Sequence, residues 1–86
     1  MDELQQKPMG RLDTIDIATK KMTIQTEFFD RPAWRVETKI YLAGALKKVY
    51  TEDLSAQPPE ALQRLVIQFH EQKMNDLVAS LQKMKS

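Results

Sequence analysis

Residues 58–84 decide the fold, and they read PPEALQRLVIQFHEQKMNDLVASLQKM. Pro58, Pro59 and Glu60 form a helix start signal, because proline suits the first turn and a carboxylate suits the positive end of the helix dipole. No glycine or proline follows before Met84. The sequence therefore predicts one helix about 35–40 Å long, at a rise of about 1.5 Å per residue.

This predicted helix carries two apolar stripes on neighbouring faces. The first has the i, i+3, i+4, i+7 spacing of a helix that lies on a core, and it consists of Leu62, Leu65, Val66 and Phe69. The second has the alternating steps of helix-to-helix packing, and it consists of Ile67, His70, Met74, Leu77, Leu81 and Met84. One broad apolar face is the alternative interpretation. We expect the second stripe to contribute a homodimer interface, with edge-strand pairing as a further contribution.

Two segments before the helix have the period-two alternation of half-buried strands, residues 22–28 and 34–42. Residues 29–33 between them are turn material. A five-residue loop there pairs Ile24 with Thr38, which keeps the buried side chains on one face. On the other face the same register places Glu27 opposite Arg35, a favourable cross-strand pair.

A third strand over residues 45–51 follows a predicted three-residue loop, Leu42-Ala43-Gly44, with the glycine in the left-handed conformation. This loop pairs Ile40 with Leu46. It also points Lys48 to the core side, where an edge position lets the ammonium group reach water. Residues 11–21 fit both a helical and a strand pattern, and we interpret them as a short strand or an extended arm.

These elements predict an α+β fold, in which a three-stranded antiparallel β-meander is followed by one long C-terminal helix packed on one face. Residues 1–12 are predicted to be a flexible segment and residues 13–86 a single domain. A three-stranded sheet leaves two open edges, and a small domain without cysteine gains stability from association. Both features favour a dimer.

The composition argues against several functional classes. The 13 basic and 12 acidic residues give a net charge of +1, which provides no general attraction to nucleic acid or to anionic membranes. No apolar run approaches the roughly 20 residues that span a bilayer, and the N-terminus lacks the pattern of a signal peptide. We therefore expect a soluble, cytoplasmic protein without membrane insertion.

The titratable residues predict no catalytic, metal or cofactor site. His70 is the single histidine and the chain has no cysteine, so a metal-ligand set is sparse. Two neighbouring carboxylate pairs, Asp13 with Asp16 and Glu52 with Asp53, have no base, pocket or oxyanion site near them in the sequence pattern. The chain is therefore predicted not to be an enzyme.

The leading hypothesis is a protein-interaction module, an adaptor or a regulatory subunit, that binds another protein through the exposed sheet face or an open strand edge. The predicted partner-binding residues face away from the helix, and they are Phe29, Arg35, Tyr41 and Val49. The alternative is a small nucleic-acid binder that uses basic and aromatic side chains of the same face, Arg35, Lys39, Tyr41 and Lys47. Glu27 and Glu37 on that face weaken the alternative.

Overall fold

Four strands precede one long helix. The computed structural model describes residues 8–85, with side chains as far as residue 83. The elements are β1 (Arg11–Ile17), β2 (Lys20–Phe29), β3 (Arg35–Leu42), β4 (Ala45–Asp53), a 3₁₀ turn (Pro59–Ala61) and α1 (Leu62–Lys85). The strands form one antiparallel sheet in the order β1-β2-β3-β4. The predicted α+β meander with one C-terminal helix is confirmed, but the prediction of three strands is wrong because β1 is a fourth.

Strand β1 resolves the ambiguity of residues 11–17 in favour of period-two alternation. Its residues alternate between half-buried and exposed, with Asp13, Ile15 and Ile17 on the side that faces the helix. Ile15 lies opposite Met22 and Asp13 lies opposite Ile24. Cross-strand packing on Met22 and Ile24 therefore outweighs the weak helical spacing of the same segment.

The start of β1 depends on a close approach between backbones at Gly10. A Cβ atom at this position would lie 2.5 Å from the carbonyl oxygen of Thr26, so only glycine fits without a shift. The preceding residue is held by a side chain of α1: the amide of Met9 donates to Gln63 Oε1 at 2.8 Å, and Gln63 Nε2 donates to the Met9 carbonyl at 3.3 Å. Met9, two residues before β1, is thus linked to α1 by two hydrogen bonds.

The register of β2 and β3 differs by two residues from the prediction. Ile24 lies opposite Ile40 rather than Thr38, and Thr26 lies opposite Thr38. A shift of two keeps the same side chains on the buried face. It removes the predicted pair of Glu27 with Arg35, because Glu27 now lies opposite Glu37 and Arg35 opposite Phe29.

The turn between β3 and β4 has two residues instead of the predicted three. Ala43 has φ 53° and Gly44 has φ 88°, the positive values that a tight hairpin turn of the I′ kind requires. Leu42 therefore pairs with Ala45 and Tyr41 with Leu46, and a bulge at Lys47 follows. As a result Leu46 lies on the outer face, 52% exposed, instead of on the helix side.

The core consists of two apolar clusters between the sheet and α1. One joins the beginning of α1 to one end of β3, and its buried members are Val36, Leu54, Leu62, Val66 and Phe69. The other lies on β2 and β3, has Met22, Ile24 and Ile40 as buried members, and receives Met74 and Leu77 of α1. Full burial of one such aliphatic side chain contributes roughly 1.5–3 kcal/mol. The helix therefore runs along the strands and bridges both clusters.

The β3–β4 turn generates a prediction about stability. Alanine in the left-handed region costs roughly 1–2 kcal/mol, whereas asparagine tolerates it and Asn-Gly is a preferred I′ pair. We expect Ala43→Asn to raise the free energy of unfolding by about 0.5–1 kcal/mol, measured by urea denaturation. The matched control is Ala45→Asn, because Ala45 lies in β4, where asparagine is disfavoured. Equal effects of the two variants would contradict the prediction.

Candidate functional site

A row of polar side chains is buried between the two apolar clusters. Thr26 of β2 and Thr38 of β3 lie directly opposite each other on the helix side of the sheet. Both are 0% exposed, and their Oγ1 atoms are 2.6 Å apart. Because buried hydroxyl groups are costly without partners, this pair requires its mutual hydrogen bond.

The helix adds an imidazole to this row. His70 is 0% exposed. Its Nδ1 lies 2.6 Å from Thr26 Oγ1, and its Nε2 lies 2.7 Å from Asp13 Oδ2 of β1. An ionised carboxylate only accepts, so Nε2–H donates to Asp13. In the neutral imidazole Nδ1 then accepts from the Thr26 hydroxyl, which accepts in turn from Thr38. We call these four residues the polar chain.

The polar chain has the order of a nucleophile relay but not its accessibility. Carboxylate, imidazole and hydroxyl follow one another as in a catalytic triad. However, the Thr26 hydroxyl at the end of the series is fully buried and is also bonded to Thr38. Asp13 reaches solvent, with its side chain 42% exposed, while the His70 side chain is 1% exposed. This arrangement links three strands to the helix, and it presents no hydroxyl to a substrate.

The predicted dimer stripe of α1 is largely engaged within the protomer. His70 belongs to the polar chain, and Met74 and Leu77 pack against the cluster around Ile24. Ile67 and Leu81 are half-buried. The side chain of Met84 lies outside the described residues. The stripe thus serves the core of the domain, and a dimer through it stays a prediction.

The four predicted partner-binding residues all lie on the outer face of the sheet, but at two separate places. Phe29 and Arg35 lie opposite each other at one end. The Arg35 guanidinium carbon is 4.4 Å from the Phe29 ring centroid, and Arg35 also contacts the Arg31 carbonyl oxygen at 2.7 Å and Glu37 Oε2 at 3.5 Å. This end of the sheet is therefore organised around interactions within the protomer.

The other place is an apolar surface on β3 and β4, six residues or about 20 Å along β3 from Arg35. Tyr41 lies opposite Leu46, and Val49 lies opposite the neighbouring Lys39. Leu46 and Val49 are 52% and 45% exposed. We call Tyr41, Leu46 and Val49 the β3–β4 patch. Leu46 was not among the predicted residues of this face, although a two-residue turn at Ala43-Gly44 would have placed it here.

The basic residues of the nucleic-acid hypothesis are divided in the same way. Lys39 borders the β3–β4 patch on β3, and Lys47 borders it at the β4 bulge. Arg35 is at the far end. Between these ends Glu27 and Glu37 lie directly opposite each other on the outer face. The row of two carboxylates separates the positive charges along the sheet.

The neighbouring carboxylates do not form paired sites. Asp13 and Asp16 lie three residues apart in β1, and so do not share a face of the strand; the same holds for the adjacent Glu52 and Asp53 of β4. Within residues 8–85 no three side chains of the metal-binding types are grouped closely enough to hold an ion. The helix over the same residues lacks the combination of length and apolar character that crosses a bilayer.

Comparisons with known proteins do not extend these observations. The chain matches no protein-family model, no curated protein and no solved structure. The function of this chain is therefore inferred from its own residues.

The polar chain yields a prediction about stability. Thr26→Val keeps the shape of the side chain but leaves His70 Nδ1 and the Thr38 hydroxyl without their partner. Leaving such buried groups unsatisfied costs roughly 1–3 kcal/mol. We expect this loss in the free energy of unfolding, measured by chemical denaturation. Imidazole ¹⁵N chemical shifts of His70 should change at the same time.

The matched control for this prediction is Thr23→Val, on the same strand but on the outer face. A surface substitution of this kind changes stability by about 0.5 kcal/mol or less. If Thr26→Val were no more destabilising than Thr23→Val, the hydroxyl of Thr26 would have no part in holding the fold together.

Proposed function

We propose that this protein is a non-enzymatic interaction module that acts as a homodimer and binds another protein on the β3–β4 patch. The observation that carries the proposal is the position of Tyr41, Leu46 and Val49 on a sheet face over which α1 does not lie, with two of the three about half exposed. Adjacent apolar side chains on an uncovered surface are typical of docking sites.

The charges around the patch indicate the chemistry of its partner. Lys39 lies beside Val49, and Lys47 follows Leu46 at the bulge. A partner segment with an apolar centre and acidic flanks complements this arrangement, since opposite charges at the rim favour association and orientation. The proposed partner surface is therefore apolar and acidic.

The buried polar chain supports a non-enzymatic role. Its imidazole has both nitrogens engaged, and its hydroxyl groups are inaccessible. A small cavity of about 120 Å³ lies elsewhere, between β4 and α1, and Glu52, Gln68 and Gln72 line it together with apolar side chains. A catalytic base next to a nucleophile is not among those lining residues.

Nucleic-acid binding is the alternative, and one observation favours it. Lys39, Tyr41 and Lys47 lie together at the same end of the outer face, so an aromatic ring and two cations are close enough to contact one strand of nucleic acid. The short basic surface and the two opposed glutamates argue for the protein partner instead.

The partner proposal predicts a selective loss of binding. In affinity capture from the host with quantitative mass spectrometry, we expect a protein that wild type retains and that Tyr41→Ala combined with Val49→Ala loses at least tenfold, a factor equal to about 1.4 kcal/mol. The matched control is Leu12→Ala combined with Thr14→Ala, on the outer face of β1. A protein lost equally from both variants would contradict the assignment of this patch.

Salt dependence distinguishes the two functions. A protein partner that docks mainly through apolar contacts should keep most of its affinity between about 50 and 200 mM salt, whereas binding through several phosphates falls by orders of magnitude. Fluorescence anisotropy with a labelled single-stranded oligonucleotide measures the alternative directly. Micromolar oligonucleotide binding that disappears in Lys39→Glu would replace the protein-partner proposal.

A further inference from the structure

The outer edge of β4 is the most open backbone of the sheet. Strand β4 pairs with β3 on one side, and no described strand pairs with its other side. Every residue from Ala45 to Asp53 is exposed except Tyr50, which is half-buried. Helix α1 packs mainly on β2 and β3. It reaches β4 at Tyr50, whose ring centroid is 4.7 Å from Lys73 Nζ, and the backbone edge beyond this side chain stays open. Unpaired amide and carbonyl groups on such an edge are a template for another strand.

The charges of β4 are ordered along this edge. The strand reads ALKKVYTED, with Lys47 and Lys48 before its centre and Glu52 and Asp53 after it. When the direction of the strand is reversed, its negative end lies where its positive end was. An antiparallel copy of the same strand therefore presents carboxylates where the first presents ammonium groups.

We propose that two copies of this chain pair antiparallel through β4, about a two-fold axis that places Tyr50 opposite Tyr50 of the partner subunit. This inference rests on the proposed homodimer and specifies its interface. Lys48 then lies opposite the second copy's Glu52 on the helix side of the sheet. Lys47 lies opposite the second copy's Asp53. By symmetry each of these pairs forms twice.

The register follows from the charges. A two-fold axis perpendicular to a sheet places one residue of the edge strand opposite itself. Centring the axis on Lys48 or on Glu52 brings like charges face to face, and centring it on Val49 or Thr51 places the charged residues opposite neutral ones. Opposed like charges destabilise strand pairing, whereas opposite charges stabilise it. Of these registers, only the one centred on Tyr50 places both lysines of β4 opposite carboxylates of the second copy.

The two side chains that define this register are available for it. Glu52 is exposed and has no hydrogen bond or ion pair within the described residues. Lys48 is exposed, and its Nζ lies 5.7 Å from the Tyr50 ring centroid, a loose contact next to the proposed axis. Asp53 is partly engaged, because its carboxylate accepts from the Ser55 amide at 3.2 Å and hydroxyl at 2.9 Å. Lys48 with Glu52 is therefore the principal pair.

The dimer would be one continuous eight-stranded sheet with both helices on the same side. Because α1 lies over β2 and β3, the two helix axes would be about 19 Å apart at a strand spacing of about 4.8 Å. Helices in contact are only about 8–10 Å apart. The helices would not touch, so the association rests on backbone pairing and on the charged pairs. On the opposite face only the Val49 ends of the two β3–β4 patches would lie near each other across the axis.

Charge reversal tests the register. Lys48→Glu gives β4 a net negative charge, and Glu52→Lys gives it a net positive charge. We expect each variant alone to dimerise at least tenfold more weakly than wild type, since two attractive pairs become repulsive. An equimolar mixture of the two variants should form a heterodimer with wild-type affinity, because every pair is again complementary. Sedimentation equilibrium at low salt measures all of these species.

The mixture also guards against misfolded variants, because recovery of dimerisation requires both chains to be folded. The matched controls are Arg64→Glu and Glu71→Lys, on exposed positions of α1, which make the same changes of net charge away from the edge. Equal weakening in the controls, or no weakening in Lys48→Glu, would overturn the proposed register while the homodimer itself stands. A wild-type chain that stays monomeric at millimolar concentration would overturn both.

A cysteine cross-link tests the geometry independently. The proposed register places Val49 opposite Thr51 of the second copy, and the chain has no cysteine of its own. Val49→Cys mixed with Thr51→Cys should give an oxidised heterodimer, while each variant alone should not cross-link. Identical positions in the two copies are then about 8 Å apart, beyond the usual reach of a disulfide. Efficient cross-linking of either variant alone would contradict this register.

Discussion

The hydrogen bonds of the polar chain constrain the rest of the fold. His70 links a carboxylate on β1 to a hydroxyl on β2, and that hydroxyl links to β3 through Thr38. The imidazole is fully buried, so loss of either partner would leave a desolvated nitrogen at a cost of roughly 1–3 kcal/mol. A slide of α1 by one turn, or of β1 by two residues, would break the hydrogen bonds of the polar chain. Apolar packing alone would tolerate such slides far better.

This fixed position of the helix explains where the surface for association remains. With His70 held above Thr26, the residues before it pack on one apolar cluster and Met74 and Leu77 pack on the other. His70, Met74 and Leu77 of the stripe that was predicted to form a dimer interface are therefore needed inside the domain. The parts of the sheet that α1 leaves uncovered are its outer face and its two edges, β1 and β4. The location of the helix thus decides which surfaces another chain can reach.

The alternation in the sequence correctly predicted which residues of β2 and β3 face the helix, but not their register. Faces depend only on period two, and any shift by two residues preserves them. The register that forms places Thr26 opposite Thr38, so each buried hydroxyl has a partner. Hydrogen-bond matching was therefore the missing criterion. The hydrogen-bond partners of His70 could not be predicted from the patterns of single segments. Asp13 and His70 are 57 residues apart in the sequence and meet only in the folded chain.

Local reasons explain why β1 was interpreted only as a short strand or an extended arm, and why Leu46 was placed on the helix side. In β1 the polar residue Asp13 occupies an inward position, which weakens the alternation from which strands are identified. Its inward position makes sense only with the imidazole that it binds. Leu46 was assigned to the wrong face because a three-residue loop was assumed where Ala43 adopts positive φ. Alanine is uncommon in that conformation, so Ala43 did not indicate the tighter turn.

The two open edges of the sheet differ in how well they suit a second copy. In β1 a two-fold axis on Asp13 or Asp16 opposes two aspartates, and an axis on Thr14 or Ile15 places Asp13 opposite an isoleucine. Arg11 is the sole positive charge of that strand, and Asp13 is already committed to His70. Strand β4 carries two charges of each sign in mirrored order. Self-pairing is therefore disfavoured at β1 and favoured at β4, so association would end at two copies instead of continuing into a fibre.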